Sequence, residues 1–107
     1  MTSQQKKTKF RQSYKWKRLR NRLKEERVND ELTNEPLQAG WSLHHVDMNE
    51  SHYFNITNED NFMCLNRQTH EFLHWLLKQY EKNPDILDNI RDVCERHKEI
   101  NFPEPQD

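Results

Sequence analysis

The sequence predicts an α+β chain that is mainly helical, and three observations carry the prediction. Apolar residues recur at spacings of three and four over 68–81 and again over 84–97, the period of a helix with one apolar face. Two short stretches, 41–47 and 61–65, are rich in β-formers with partial alternation, which marks strands. A further segment, 9–28, has neither Gly nor Pro and carries Trp16, Leu19 and Leu23 at i, i+3 and i+7.

Composition bounds the rest. With 107 residues, 33% of them charged and 32% hydrophobic, apolar area is scarce and one small domain over about 9–100 is expected. Mean hydropathy is −1.32, and no apolar run approaches the ~20 residues of a membrane span. Basic residues near the amino end lack an apolar stretch behind them, so no secretory signal is expected and the cytoplasm is the default setting. Cys64 and Cys94 have no CxxC spacing, which argues against a disulfide scaffold and a four-cysteine zinc site. A metal here must rely on histidine.

In chain order, the polar residues 1–8 are expected to be disordered. The helix over 9–28 has a narrow apolar stripe and a broad cationic face; Phe10 and Tyr14 lie off the stripe and allow a bend or break. Residues 1–28 hold eleven Lys or Arg against two acids, a formal +9, whereas the other 79 hold six against sixteen, a formal −10. Such an arm suits an anionic partner, above all nucleic acid, with Lys15, Lys17, Arg18, Arg20, Arg22 and Lys24 facing phosphates. Its role reads as electrostatic rather than core-forming. The alternative is that it pairs with acids of its own chain, including Asp85, Asp88 and Asp92.

Residues 29–40 are turn chemistry, with Thr33, Asn34, Pro36 and the lone glycine, Gly40, leading into the first strand. A polar loop over 48–60 joins the two strands into a long-looped hairpin. The helix over 68–81 aligns Phe72, Leu73, Leu76, Leu77 and Tyr80. Asn83 then reads as an N-cap with Pro84 in the first helical position, opening a last helix that buries Ile86, Ile90, Val93 and Cys94. Ile100 and Phe102 are expected to fold back, and 101–107 to form a loose tail. Trp41, Trp75 and Cys64 read as packing residues.

The chemistry lies at fixed spacings. His44 and His45 are adjacent, Asn61 follows sixteen residues later, His70 nine after that, and His74 four further on. One helical turn separates His70 from His74, so both imidazoles leave the same edge of the helix. Neighbours on a strand point to opposite sides, so one of His44 and His45 can be a ligand while the other serves the chemistry.

A strand with His-His, a loop, an Asn opening a second strand and a helix with HxxxH resembles the HNH endonuclease, or ββα-metal, motif. The spacing is most similar to that of the colicin-type nucleases, and the text THEFLHWLLKQYEKNPDIL is similar to small phage-encoded members. The resemblance covers about residues 30–80. It implies a ββα-metal hairpin–helix core over about 40–81, flanked by an N-terminal basic helix and a C-terminal helix. It further implies His44, His70 and His74 as metal ligands, His45 as general base, and Asn61 as the residue that fixes the loop and the base. Many family members carry two CxxC pairs for a structural zinc, and this chain has none. Thr33-Asn34 stands where Thr-Gly is common, which a left-handed Asn34 would accommodate.

The expected function is metal-dependent hydrolysis of DNA phosphodiester bonds, by nicking or double-strand cleavage, with 3'-hydroxyl and 5'-phosphate products implied by the resemblance. Three imidazoles favour one Zn²⁺, Ni²⁺ or Mn²⁺ ahead of Mg²⁺. Histidine near its ordinary pKa of about 6.5 can take a proton from water at neutral pH. Arg67, at the turn into the metal helix, is placed to grip a phosphate. Expected partners are DNA and, by the resemblance, a larger phage complex in a bacterial host's cytoplasm, with no membrane. An RNA-cleaving relative would share the same residues. The competing reading is a non-catalytic nucleic-acid-binding or assembly protein with a structural metal.

Overall fold

The structure, a computed structural model, describes residues 1–105. In order these form α1 (Ser3–Arg11), α2 (Tyr14–Arg27), β1 (Ser42–His45), β2 (Phe62–Leu65), α3 (Arg67–Lys82) and α4 (Ile86–Asn101), an α+β chain dominated by helix. Two compact units result, Met1–Glu71 and Phe72–Asp107, where the sequence predicts a single body over 9–100. The helix α3 is unbroken through residues 71 and 72. No helix among the described residues is long and apolar enough to cross a membrane.

The amino end is a helix rather than a disordered tail. Thr2 and Gln5 form a capping box, each side chain accepting from the other's backbone N–H at 3.1 and 2.8 Å. Lys7 then ties α1 to the hairpin loop through Glu50, at 2.6 Å, and lies over the Tyr53 ring. The single helix expected over 9–28 is broken at Gln12 and restarts at Ser13, whose hydroxyl accepts from Trp16 N. That break lets Phe10 pack against Trp16 and Phe54, with ring centroids 5.4 and 5.2 Å away.

The predicted stripe on α2 is right, yet its role is not chiefly electrostatic. Trp16, Leu19 and Leu23 are buried and pack with Trp41, Leu43, Phe62 and Cys64 to make the core of the first unit. Arg27 fastens the end of α2 to the hairpin by donating to the carbonyls of Phe62 and Glu59 while pairing with Glu31 at 3.1 Å. The next residue, Val28, adopts φ +66°, which is costly for a β-branched side chain.

β1 and β2 form an antiparallel hairpin in the register Ser42–Leu65, Leu43–Cys64, His44–Met63 and His45–Phe62. Both strands are shorter than the predicted stretches. Asn34 is left-handed, with φ +64°, as the Thr33-Asn34 pair requires, and Gly40 has φ +85° before β1.

Asp30, 1% exposed, organises the approach to the hairpin and α3. Its Oδ1 accepts from Leu32 and Thr33 N, and its Oδ2 from Asn66 N at 2.7 Å. Asn66 in turn accepts from Gln38 N and donates to the Pro36 carbonyl, so the residue before α3 is held from three sides.

The second unit differs from expectation. No residue of α4 is fully buried: Ile86 and Ile90 are half-buried, whereas Val93 is 55% exposed and Cys94 is exposed, so the predicted buried stripe is only partly covered. Ile100 and Phe102 are also exposed, and Trp75, stacked on Phe72, is half-exposed rather than packed in a core. The helix begins two residues later than predicted. Asn83 does cap the turn, accepting from Asp85 N, but Ile86 N bonds to the Asn83 carbonyl in a tighter first turn. In the expected loose tail, Asn101 closes α4, 103–105 have no regular structure, and 106–107 lie outside the described residues.

Candidate functional site

Strand geometry divides the His-His pair, because successive side chains leave a strand on opposite faces. His44 is buried and meets α3, with its Nδ1 3.2 Å from His70 Nε2 and the ring centroids 5.1 Å apart. His74 follows His70 by one turn of the same helix. One ring nitrogen from each of the three lies within 4.8 Å of the others. Ligand atoms at about 2.0–2.1 Å from a tetrahedral ion stand roughly 3.3 Å apart, so the His44–His70 pair has ligand spacing and His74 is within reach of closing the set. Three imidazoles without a carboxylate suit a transition metal such as Zn²⁺ better than Mg²⁺, which prefers oxygen.

His45 faces a different environment. Its ring stacks on Tyr53 at 4.5 Å, lies parallel to Trp16 at 5.6 Å and meets Phe62 edge-on at 5.0 Å. Its Nε2 is 3.1 Å from the Tyr53 carbonyl. A carbonyl only accepts, so Nε2 carries the proton and Nδ1 holds the lone pair. Burial lowers the imidazole's pKa; the Tyr53 carbonyl opposes that, and the charges of Lys7 and Arg11 reinforce it. The ring is therefore neutral, and able to accept a proton, at pH 7.

Asn61 fixes the point where the loop leaves and rejoins the hairpin. Its Oδ1 accepts from Asp47 N at 2.6 Å and its carbonyl from Val46 N at 2.8 Å, immediately beyond His45. Asp47 accepts from Asn49 N and from His52 Nδ1, and these two bonds hold its carboxyl below the usual range. Cys64 is fully buried and free, and burial together with the Glu31 charge pushes its thiol up to about 11. Such a thiol stays protonated and packs as an apolar residue.

The basic residues fall into two groups. Arg20 donates to the Trp41 carbonyl at 2.6 Å and lies 3.9 Å over the Trp41 ring; Arg22 pairs with Glu59. Arg20 is thus spent on packing and Arg22 on an ion pair at the surface. Lys15, Lys17, Arg18 and Lys24 are exposed, with no ion pair among the described residues. Arg67 is exposed and, among the described residues, pairs with Glu71, one turn along α3.

Sequence reasoning misses Asp30, Arg27 and the Tyr53 carbonyl, all of which position the site. Asp30 followed by Thr33-Asn34 is a turn signature, but nothing in that signature points to Asn66, 36 positions away. No protein-family model, curated protein or solved structure matches the chain.

Proposed function

We propose that the chain is a metal-dependent endonuclease that hydrolyses DNA phosphodiester bonds, as its HNH-like motif implies. The observation that carries this reading is the placement of a neutral imidazole with a free lone pair, His45 Nδ1, on the strand that also delivers His44 to His70. A divalent ion held by His44, His70 and His74 would supply charge stabilisation at the phosphate and the leaving oxygen. His45 Nδ1 takes the proton from the attacking water, while the Tyr53 carbonyl keeps Nε2 protonated and the ring in that tautomer. Asn61 holds the loop so that Tyr53 stays in place. Lys15, Lys17, Arg18 and Lys24 bind the backbone.

A structural metal site needs no neutral base at the next position of the strand, which favours this reading over a non-catalytic DNA-binding or assembly role. The resemblance to small phage-encoded members extends the proposal to the cytoplasm of a bacterial host. The test is incubation of supercoiled plasmid, and separately of RNA, with purified protein and Zn²⁺, Ni²⁺, Mn²⁺ or Mg²⁺. Relaxed or linear DNA is expected with at least one transition metal and none after chelation. Intact plasmid with every ion, from protein shown to be folded and metal-loaded, would leave only the binding role.

A further inference from the structure

The hairpin loop holds a second polar cluster that the metal site does not use. A cavity of about 180 Å³ is lined by Asp47, His52, Asn55, Asn58 and Asn61. The acceptor atoms of this lining are engaged within the loop. Asn55 Oδ1 accepts from Thr57 N and Oγ1, Asn58 Oδ1 from Asp60 N, and Asn61 Oδ1 from Asp47 N. A backbone N–H can only donate, so each amide is fixed with its oxygen toward the chain and its Nδ2 left for a ligand. Both Asp47 oxygens are engaged as well, one by Asn49 N and one by His52 Nδ1.

What remains is an array of donors, the three amide NH₂ groups of Asn55, Asn58 and Asn61. The complementary ligand brings acceptors and no donors. The non-bridging oxygens of a phosphodiester meet that condition, whereas nucleobase edges mix donors with acceptors. The cavity is below the ~300 Å³ of a drug-sized site, so it admits a phosphate group without its sugar and base.

We propose that this cavity binds a backbone phosphate of the nucleic acid, a second one beside the phosphate to be cut, and thereby sets the strand's register against His45. The identity of the ligand rests on the nuclease reading above. The link to His45 is short: His52 precedes Tyr53, whose carbonyl holds the base, and Asn61 clamps Asp47 two residues beyond His45.

The test uses the whole chain without divalent ions, so that DNA binds and is not cut. Side-chain amide resonances of Asn55 and Asn58 are followed by NMR during titration with a short duplex, and separately with inorganic phosphate. The Asn55→Asp/Asn58→Asp variant keeps an oxygen for each turn but replaces each NH₂ donor with an acceptor. Asn49→Asp is the control, since Asn49 makes the same kind of turn with Ser51 outside the cavity. The expected result is that the duplex shifts both amide resonances, the double variant binds DNA about tenfold or more weakly, as for a lost hydrogen bond to a charged group, and Asn49→Asp binds almost as the parent. Unmoved resonances during demonstrable DNA binding would overturn the cavity proposal and leave the nuclease reading standing. Saturation by inorganic phosphate with no response to DNA would overturn the backbone source. Absence of any DNA binding would overturn both.

Discussion

Asp30 is the residue on which the first unit's loops converge. Burial pushes its carboxyl up, but the N–H groups of Thr33, Asn66 and Leu32, with the Thr69 hydroxyl, outweigh that and hold it below its ordinary value. A carboxyl whose folded pKa is depressed contributes stability above its unfolded pKa, about 3.9, and loses it as pH falls through the lower folded value. Asp30→Asn sets an NH₂ group against Asn66 N–H and should cost about 1–3 kcal/mol at pH 7. The gap between parent and variant should narrow in urea melts below pH 4; a constant gap would show that the charge of Asp30 is not what stabilises. Val28 is the opposite case, an exposed β-branched residue at φ +66° whose strain is of order 1–3 kcal/mol. Val28→Gly relieves it at an entropy cost of about 1 kcal/mol, so the melting temperature should rise by a few degrees. A fall would mean that Val28 packs more than its exposure suggests. Neither residue stands out in the sequence, because the partners that give Asp30 its role are distant and a positive φ at valine has no local signal.

At the scale of elements, the strand–loop–strand–helix segment is legible because alternation and the three-and-four period are local properties. The same period misleads at α4, since it reports that a helix has an apolar face and not that anything covers it. It misleads in the other direction at α2, where the cationic surface hides three core residues, Trp16, Leu19 and Leu23. Charge type likewise does not separate Arg20, spent on Trp41, from Lys17, which is open to solvent. The structure therefore sorts the basic residues into two experiments. Replacing Lys15, Lys17, Arg18 and Lys24 by Gln should flatten the slope of log affinity against log salt by up to about 3.6, at ~0.9 for each duplex phosphate, with the melting temperature almost unchanged. Arg20→Gln should instead lower the melting temperature by removing the Trp41 contacts, a loss of about 1–3 kcal/mol. An unchanged salt slope in the first variant would remove α2 from the DNA interface.

For the whole molecule, ion binding and folding are linked, because the three ligands come together only when the hairpin and α3 are formed. An ion present at a hundredfold over its dissociation constant should add about 2.7 kcal/mol to stability. Thermal scans with and without Zn²⁺ should show that gain in the parent and its loss in His70→Ala; an equal gain in both would place the ion elsewhere. The central claim joins this site to His45, and cleavage of supercoiled plasmid by the parent and by His45→Ala, each loaded with the same ion, tests it most directly. The parent is expected to convert the plasmid. The variant should bind metal and DNA with nearly parental affinity and leave the plasmid intact, because it lacks a proton acceptor and no ligand. Cleavage by His45→Ala at the parental rate would contradict the account.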